Sequence, residues 1–157
     1  MAPYNWKNLL NGSNVMAATY AGTLSDNCER GAKQYICYGG SPAFDQPITV
    51  GDVLFLPYSK QQLTRNLKEE ADTRRSIERV AGPTVAKKYG PDLLRHEVVH
   101  SKQWARYSNA GAYIAAYTAE SVRSPSQSGV VAAANRFEEE ANLWWGGYLR
   151  WGPARAD

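Results

Sequence analysis

The sequence predicts an α+β fold: a small N-terminal β-hairpin or sheet region, then a mainly helical part. Three observations predict it. Short β-type runs, Gln34-Tyr-Ile-Cys-Tyr38, Ile48-Thr-Val50 and Val53-Leu-Phe-Leu56, stand among Gly, Asn, Ser, Tyr and Pro in residues 1–57. From Ser59 onward apolar residues recur at helical spacing. No linker separates the two stretches, and 157 residues suit one domain. The expected organisation is therefore a single domain over 1–157. Its 1–57 part is β-rich and loop-rich, and its 58–150 part is helical.

The elements follow in order. Residues 4–10 suit one short helix. Cys28 and Cys37, the only cysteines, flank a stretch that suits a hairpin. A disulfide there closes a loop of about ten residues and stabilises the fold by about 2–3 kcal/mol. It also implies an oxidising compartment; two unpaired thiols are the alternative. Gly51-Asp52 is a two-residue hairpin turn between the last two runs. Leu63, Leu67, Ala71, Ile77 and Val80 form an apolar stripe on a charged helix that ends at Gly82-Pro83. Gly90-Pro91-Asp92 opens a second helix, with Pro91 in its first turn, running to about Tyr107. A third helix covers about Ala110 to Val122. Ser124 to Gly129 reads as a polar loop. A last helix ends near Gly146-Gly147.

Composition narrows the function classes. With 43% hydrophobic and 21% charged residues, the chain is not of the disordered type. No apolar run approaches the ~20 residues of a membrane span, so stable membrane insertion is not expected. Net charge is only +3, without Lys/Arg blocks, so nucleic acid is not an expected partner. The first residues lack a charged cap followed by an apolar stretch, so no retained secretory signal is expected. A removed signal, or release from a longer precursor, stays open.

The chemistry lies on the second helix, in Leu94-Arg95-His96-Glu97-Val98-Val99-His100. Two histidines four apart share one helix face and can converge on one ion at the ~2.0–2.1 Å that zinc requires. Glu97 sits beside that face, placed to take a proton from a metal-bound water and not to ligate. The chain has only two histidines. Random placement gives this spacing with a following Glu in under ~0.1% of cases. Leu94, Val98 and Ala105 are the expected anchor of this helix to the core. No G-x-S-x-G, G-x-x-x-x-G-K or G-x-G-x-x-G is present.

Catalytic zinc takes three protein ligands and leaves a position for water. No histidine remains and the cysteines lie far upstream, so the third ligand is expected to be a carboxylate. Glu120, Glu138, Glu139 and Glu140 are the candidates. The stretch Leu93 to Gln103 resembles the active-site helix of gluzincin-class zinc metallopeptidases, and Asn135-Arg-Phe-Glu-Glu-Glu-Ala-Asn142 resembles the downstream segment of small bacterial members. The resemblance implies a zincin-like core and zinc held by His96, His100 and Glu138. It implies Glu97 as the catalytic base. The position four residues after the ligand is usually Asp and orients a ligand histidine; here it is Asn142. The alternative for Glu138 is a capping box with Asn135. Glu120 has a thermolysin-like spacing but lacks the following carboxylate. Glu139 is expected to be solvated.

The likeness is good over about 90–145 and looser over Ile48 to Leu56. The Tyr4-Asn-Trp-Lys-Asn-Leu-Leu10 opening and Ile36-Cys-Tyr-Gly-Gly40 resemble the C-terminal effector tips of bacterial polymorphic (Rhs-type) toxins. That implies a toxic protease secreted or delivered into a target cell, with a protein or peptide substrate and an inhibitor or immunity protein as partner. A cytoplasmic location is the alternative.

An oxyanion donor besides zinc is needed, and Tyr107, Tyr113, Tyr148 and Arg150 are the candidates. Gln103, three residues after His100, either lines the cleft or is an ordinary exposed side chain. The cluster Trp144 to Trp151 either packs on the active helix or forms a substrate or partner surface. Three functions are therefore in play: a zinc endopeptidase, a non-catalytic zinc-stabilised interaction module, and a basic binding module.

Overall fold

The computed structural model describes residues 2–25, 27–43, 45–128 and 134–149, with 124–128 described as backbone only. Two short helices come first, α1 (Trp6–Leu10) and α2 (Ser13–Leu24). Four strands follow: β1 (Asn27–Arg30), β2 (Tyr35–Tyr38), β3 (Ile48–Val50) and β4 (Val53–Phe55). The rest is helical: α3 (Lys60–Ala81), α4 (Pro83–Tyr89), α5 (Leu93–Trp104), α6 (Ala110–Ser128) and α7 (Arg136–Ala141). The α+β expectation holds.

The strands form one sheet in the order β1-β2-β4-β3. β1 and β3 pair antiparallel with their neighbours, and β2 runs parallel to β4. Val50 faces Val53 across Gly51-Asp52, the expected hairpin turn, and Gly51 takes the positive φ of 59° that the turn needs. Cys28 faces Cys37 across β1 and β2, and the two are bonded as a disulfide.

Strand alternation splits the core in two. Val53 and Phe55 join Cys37, Val50, Ala17, Trp104, Tyr113 and Phe137 on one side. Leu54 and Leu56 join Ile36, Tyr38 and Leu63 of α3 on the other. Helix α5 packs along edge strand β3 and touches both clusters, Leu93 and Leu94 in one and Trp104 in the other.

Several expectations are corrected. Residues 1–57 hold more helix than the one short helix expected over 4–10, which is α1, because α2 fills Ser13–Leu24. Its apolar residues are spread round the helix, so no stripe announces it. The α3 stripe is real at Leu63 and Ile77, but Val80 is 78% exposed. Pro91 precedes the N-cap of α5, which is Asp92; the proline in a first turn is Pro83, opening α4. Helix α6 continues through Ser128 where a polar loop was expected from Ser124. Gly129 lies outside the described residues. Helix α7 stops at Asn142, whose φ of 74° breaks the helical path, and 143–149 are turns.

The N-terminal helices are tied to this frame by buried polar groups. Asp52 in the β3–β4 turn accepts from the Tyr4 and Asn5 amides at 3.0 Å and from the Asn8 and Asn14 side chains at 2.8 Å. Asn8 Nδ2 also donates to Ser101 O at 3.0 Å, and Asn11 Nδ2 to Trp104 O at 2.8 Å. These are carbonyls of the last turn of α5, where the backbone leaves them only long bonds, from the Ala105 amide at 3.4 Å and the Tyr107 amide at 3.2 Å. Helix α1 therefore caps the C-terminal end of the helix that carries the histidines.

Candidate metal centre

Helix α5 starts cleanly because Asp92 caps it, its carboxylate accepting from the Arg95 amide. The i, i+4 spacing then puts His96 and His100 on one face, 2% and 7% exposed. Asn135 caps α7 by accepting from the Phe137 amide, and Glu138 in its first turn points at the histidines. Asn135 provides the cap alone: Glu138 turns its carboxylate to the histidines and not back to the helix start, so it takes the inward role and not that of a capping box.

The three side chains converge. His96 Nε2 lies 3.1 Å from His100 Nε2 and 3.1 Å from Glu138 Oε2, and His100 Nε2 lies 3.5 Å from Glu138 Oε1. A tetrahedral zinc with ligands at ~2.0–2.1 Å separates its donor atoms by about 3.3–3.4 Å. The observed spacing fits. No other group of three or more His, Cys, Asp or Glu among the described residues offers ligand atoms this close.

The hydrogen bonds around the rings say what these atoms need. His96 Nδ1–H donates to the Ala141 and Asn142 carbonyls at 3.1 and 3.2 Å. His100 Nδ1–H donates to Gln103 Oε1 at 2.8 Å. The orientation of that amide is pinned, because Gln103 Nε2 donates to Phe137 O and Glu140 Oε2. With acceptors facing both Nδ1 atoms, neutral rings carry their lone pairs on Nε2, aimed at each other and at Glu138. Glu138 Oε2 is buried and has no donor, even though His96 Nε2 lies beside it. Such a cluster demands positive charge at its centre.

The protonation equilibria point the same way. Burial opposes charging of His100, but the facing Glu138 carboxylate outweighs it and pushes its pKa up to about 9. Burial would raise Glu138, yet the two imidazoles hold it well below the usual carboxylate range. A proton can satisfy one pair of these atoms; a divalent metal satisfies all three.

Around this cluster the structure sorts the other expectations. Glu97 is 5% exposed, and its Oε2 accepts from Thr49 Oγ1 at 2.8 Å. Glu120 is not a ligand: it pairs with Arg123 and Arg136. Glu140 pairs with Arg106 and accepts from Gln103, and Glu139 is exposed. Asn142 orients His96 through its backbone carbonyl, not its amide. That amide instead donates to Lys88 O and accepts from the Trp144 amide. Gln103 is 0% exposed and is the partner of His100. Leu94 is half-buried and packs on the core cluster of Leu54 and Leu63 as expected, and α5 is further anchored by Trp104, whose indole donates to Thr49 O at 2.8 Å.

Of the oxyanion candidates, Tyr113 stacks on Trp104 in the core and Tyr107 packs on Tyr113 and Phe137. Arg150 lies outside the described residues. Tyr148 faces the site, its ring centroid 5.9 Å from that of His96. The residue is 42% exposed, but loss of water on the cleft side and the Glu138 and Glu97 carboxylates push its pKa up, so it stays a protonated donor. It shares the wall of a cleft of about 400 Å³ with Glu97, His100 and Glu138, and the cleft is floored by Ile48, Trp104, Ile114 and Tyr117.

Sequence reasoning missed four contributors. Tyr117 donates to Glu138 Oε1 at 2.5 Å, and Thr49 holds Glu97. Gln34 donates to Thr49 Oγ1, Glu97 O and Ser101 Oγ within 3.1 Å. Gly146 lies so close to His96 that a Cβ there would sit 2.7 Å from Cε1. The described part of the Trp144–Trp151 cluster is thus a turn folded over His96. Only the Gly-Gly pair within it was a visible signal. No protein-family model, curated protein or solved structure matches this chain.

Proposed function

We propose that this chain is a zinc-dependent metalloendopeptidase domain. One observation carries the reading: a buried His96–His100–Glu138 cluster of metal-ligand spacing opens, through His100 and Glu138, on a cleft that also holds Glu97. Bound zinc would supply a Lewis acid and lower the pKa of its water toward ~7. The chain's own residues do the rest. Thr49 engages one oxygen of Glu97 and fixes the carboxylate, whose other oxygen takes the proton of the attacking water. Glu97 then passes that proton to the leaving amine. The Tyr148 hydroxyl donates to the oxyanion that develops on the scissile carbonyl. Tyr117, Gln103 and the Ala141 and Asn142 carbonyls keep the ligands aimed.

A zinc that serves only the fold uses four closed ligands and needs no base beside it. Three clustered ligands among the described residues, with a positioned Glu97, favour catalysis over the non-catalytic module. The Cys28–Cys37 disulfide fits secretion or delivery through an oxidising compartment.

Elemental analysis and peptide hydrolysis test this together. The wild type should carry one zinc per chain, and His96→Ala and Glu138→Ala should lose it while Glu120→Ala keeps it. Glu97→Gln should keep the metal and lose about 10²-fold or more in turnover. Full activity in Glu97→Gln would refute the reading.

A further inference from the structure

The opposite face of α5 lines a second groove. Arg95, Val98 and Lys102 recur at i, i+3 and i+7, so they form one stripe away from His96, Glu97 and His100. This stripe and the β1–β2 turn enclose a groove of about 440 Å³. Ile36, Leu94 and Val98 form its apolar floor, and Lys33, Arg95 and Lys102 form its rim. The rim is exposed and purely cationic. Among the described residues, none of the three cations pairs with a carboxylate. Arg95 is nonetheless held in place, its guanidinium 3.9 Å from the Trp145 ring centroid.

We propose that this groove is the docking site for an acidic amphipathic helix of a partner protein. The charge pattern selects the sign, since an apolar floor ringed by unpaired cations accepts apolar side chains flanked by carboxylates. The spacing suits a helical partner. Arg95 and Lys102 stand two turns apart, about 10.5 Å along the axis of α5. A partner helix with acidic residues two turns apart can meet both, with the apolar residues of the turn between them on Val98 and Leu94. The groove also touches the machinery behind it, because its wall residue Gln34 hydrogen-bonds Glu97 O and Ser101 Oγ. The site stands without the metallopeptidase reading, since none of its residues ligates or faces the metal.

Fluorescence anisotropy tests it with a labelled synthetic helix bearing glutamates two turns apart and leucines between them. The full chain should bind this probe, with affinity falling as salt rises. The double variant Lys33→Glu/Lys102→Glu should bind it at least about tenfold more weakly. Both lysines are exposed, and an unchanged melting temperature would show that the fold survives. Val98→Ser should weaken binding without altering the charge. Equal binding of a probe with lysines in place of the glutamates would overturn the proposal. So would undiminished binding by the double variant, absence of binding, or complete displacement of the probe by equimolar dodecanoate, which would make the groove an amphiphile site.

Discussion

Gln103 shows how much one buried side chain can decide. Its amide faces three acceptor or donor groups, and only one orientation satisfies them. That orientation sets the tautomer of His100 and leaves Nε2 free to ligate. Replacing Gln103 with Leu keeps the volume and removes both functions. We expect zinc affinity to fall about 10–100-fold, as for other partners of ligand histidines. Competition with a chromophoric chelator would measure it, and an unchanged affinity would show that Gln103 only fills space. Gly146 makes a second case. An added Cβ would sit 2.7 Å from His96 Cε1 and 2.9 Å from Nδ1, so Gly146→Ala must push either the ring or the turn. The same titration should show weakened binding, while the melting temperature of the metal-free chain moves little.

Helices α3 and α5 meet through a carboxylate that neither needs for its own structure. Glu70 accepts from the Leu93 amide at 3.3 Å, and Arg74 stands 3.8 Å away. Burial outweighs both and pushes the Glu70 pKa up from 4.5 to about 7. The folded state therefore binds this proton more tightly than the unfolded state. Its contribution to stability must fall as pH rises from about 4.5 to about 7. Glu70→Gln keeps an acceptor for Leu93 and removes the charge. It should flatten this slope and raise stability at pH 8 by about 1–3 kcal/mol. Urea melts of both proteins across this range would check it. This link was not legible in the sequence, where Glu70 is one more charge on a charged helix. What was legible follows from spacing along the chain: the hairpin at Gly51-Asp52, the length of α3, and His96, Glu97 and His100 on one helix face. Glu138 was legible only by resemblance to a pattern. Thr49, Tyr117 and Gln34 were not legible, since each reaches the site across the tertiary fold from a segment with no motif. Helix α2 was missed because it has no apolar stripe, and α7 was drawn too long because Asn142 ends it by backbone conformation.

Two cross-links join parts of the molecule that packing holds less firmly. The first is covalent. Cys28–Cys37 closes a loop of about ten residues in the β1–β2 hairpin, and Cys37 is wholly buried beside Phe55. Reduction should cost about 2–3 kcal/mol, seen as a lower urea midpoint with dithiothreitol present. The second would be the metal. Helix α7 is six residues long, too short to be stable alone. It is held by Phe137 in the core, by Gln103, and by Glu138 facing α5. A bound ion therefore ties α7 to α5 more directly than it supports the sheet, whose two apolar clusters do not depend on the cluster's charge. A metal at 1,000 times its dissociation constant adds about 4 kcal/mol to stability. Chelation should remove that amount and lower the melting temperature, yet leave the far-ultraviolet circular dichroism of a folded chain. Amide exchange should then quicken in Arg136–Ala141 and the following turn while β2 and β4 stay protected. If chelation unfolded the whole chain instead, the ion would be serving the fold, and the non-catalytic reading would gain over the peptidase.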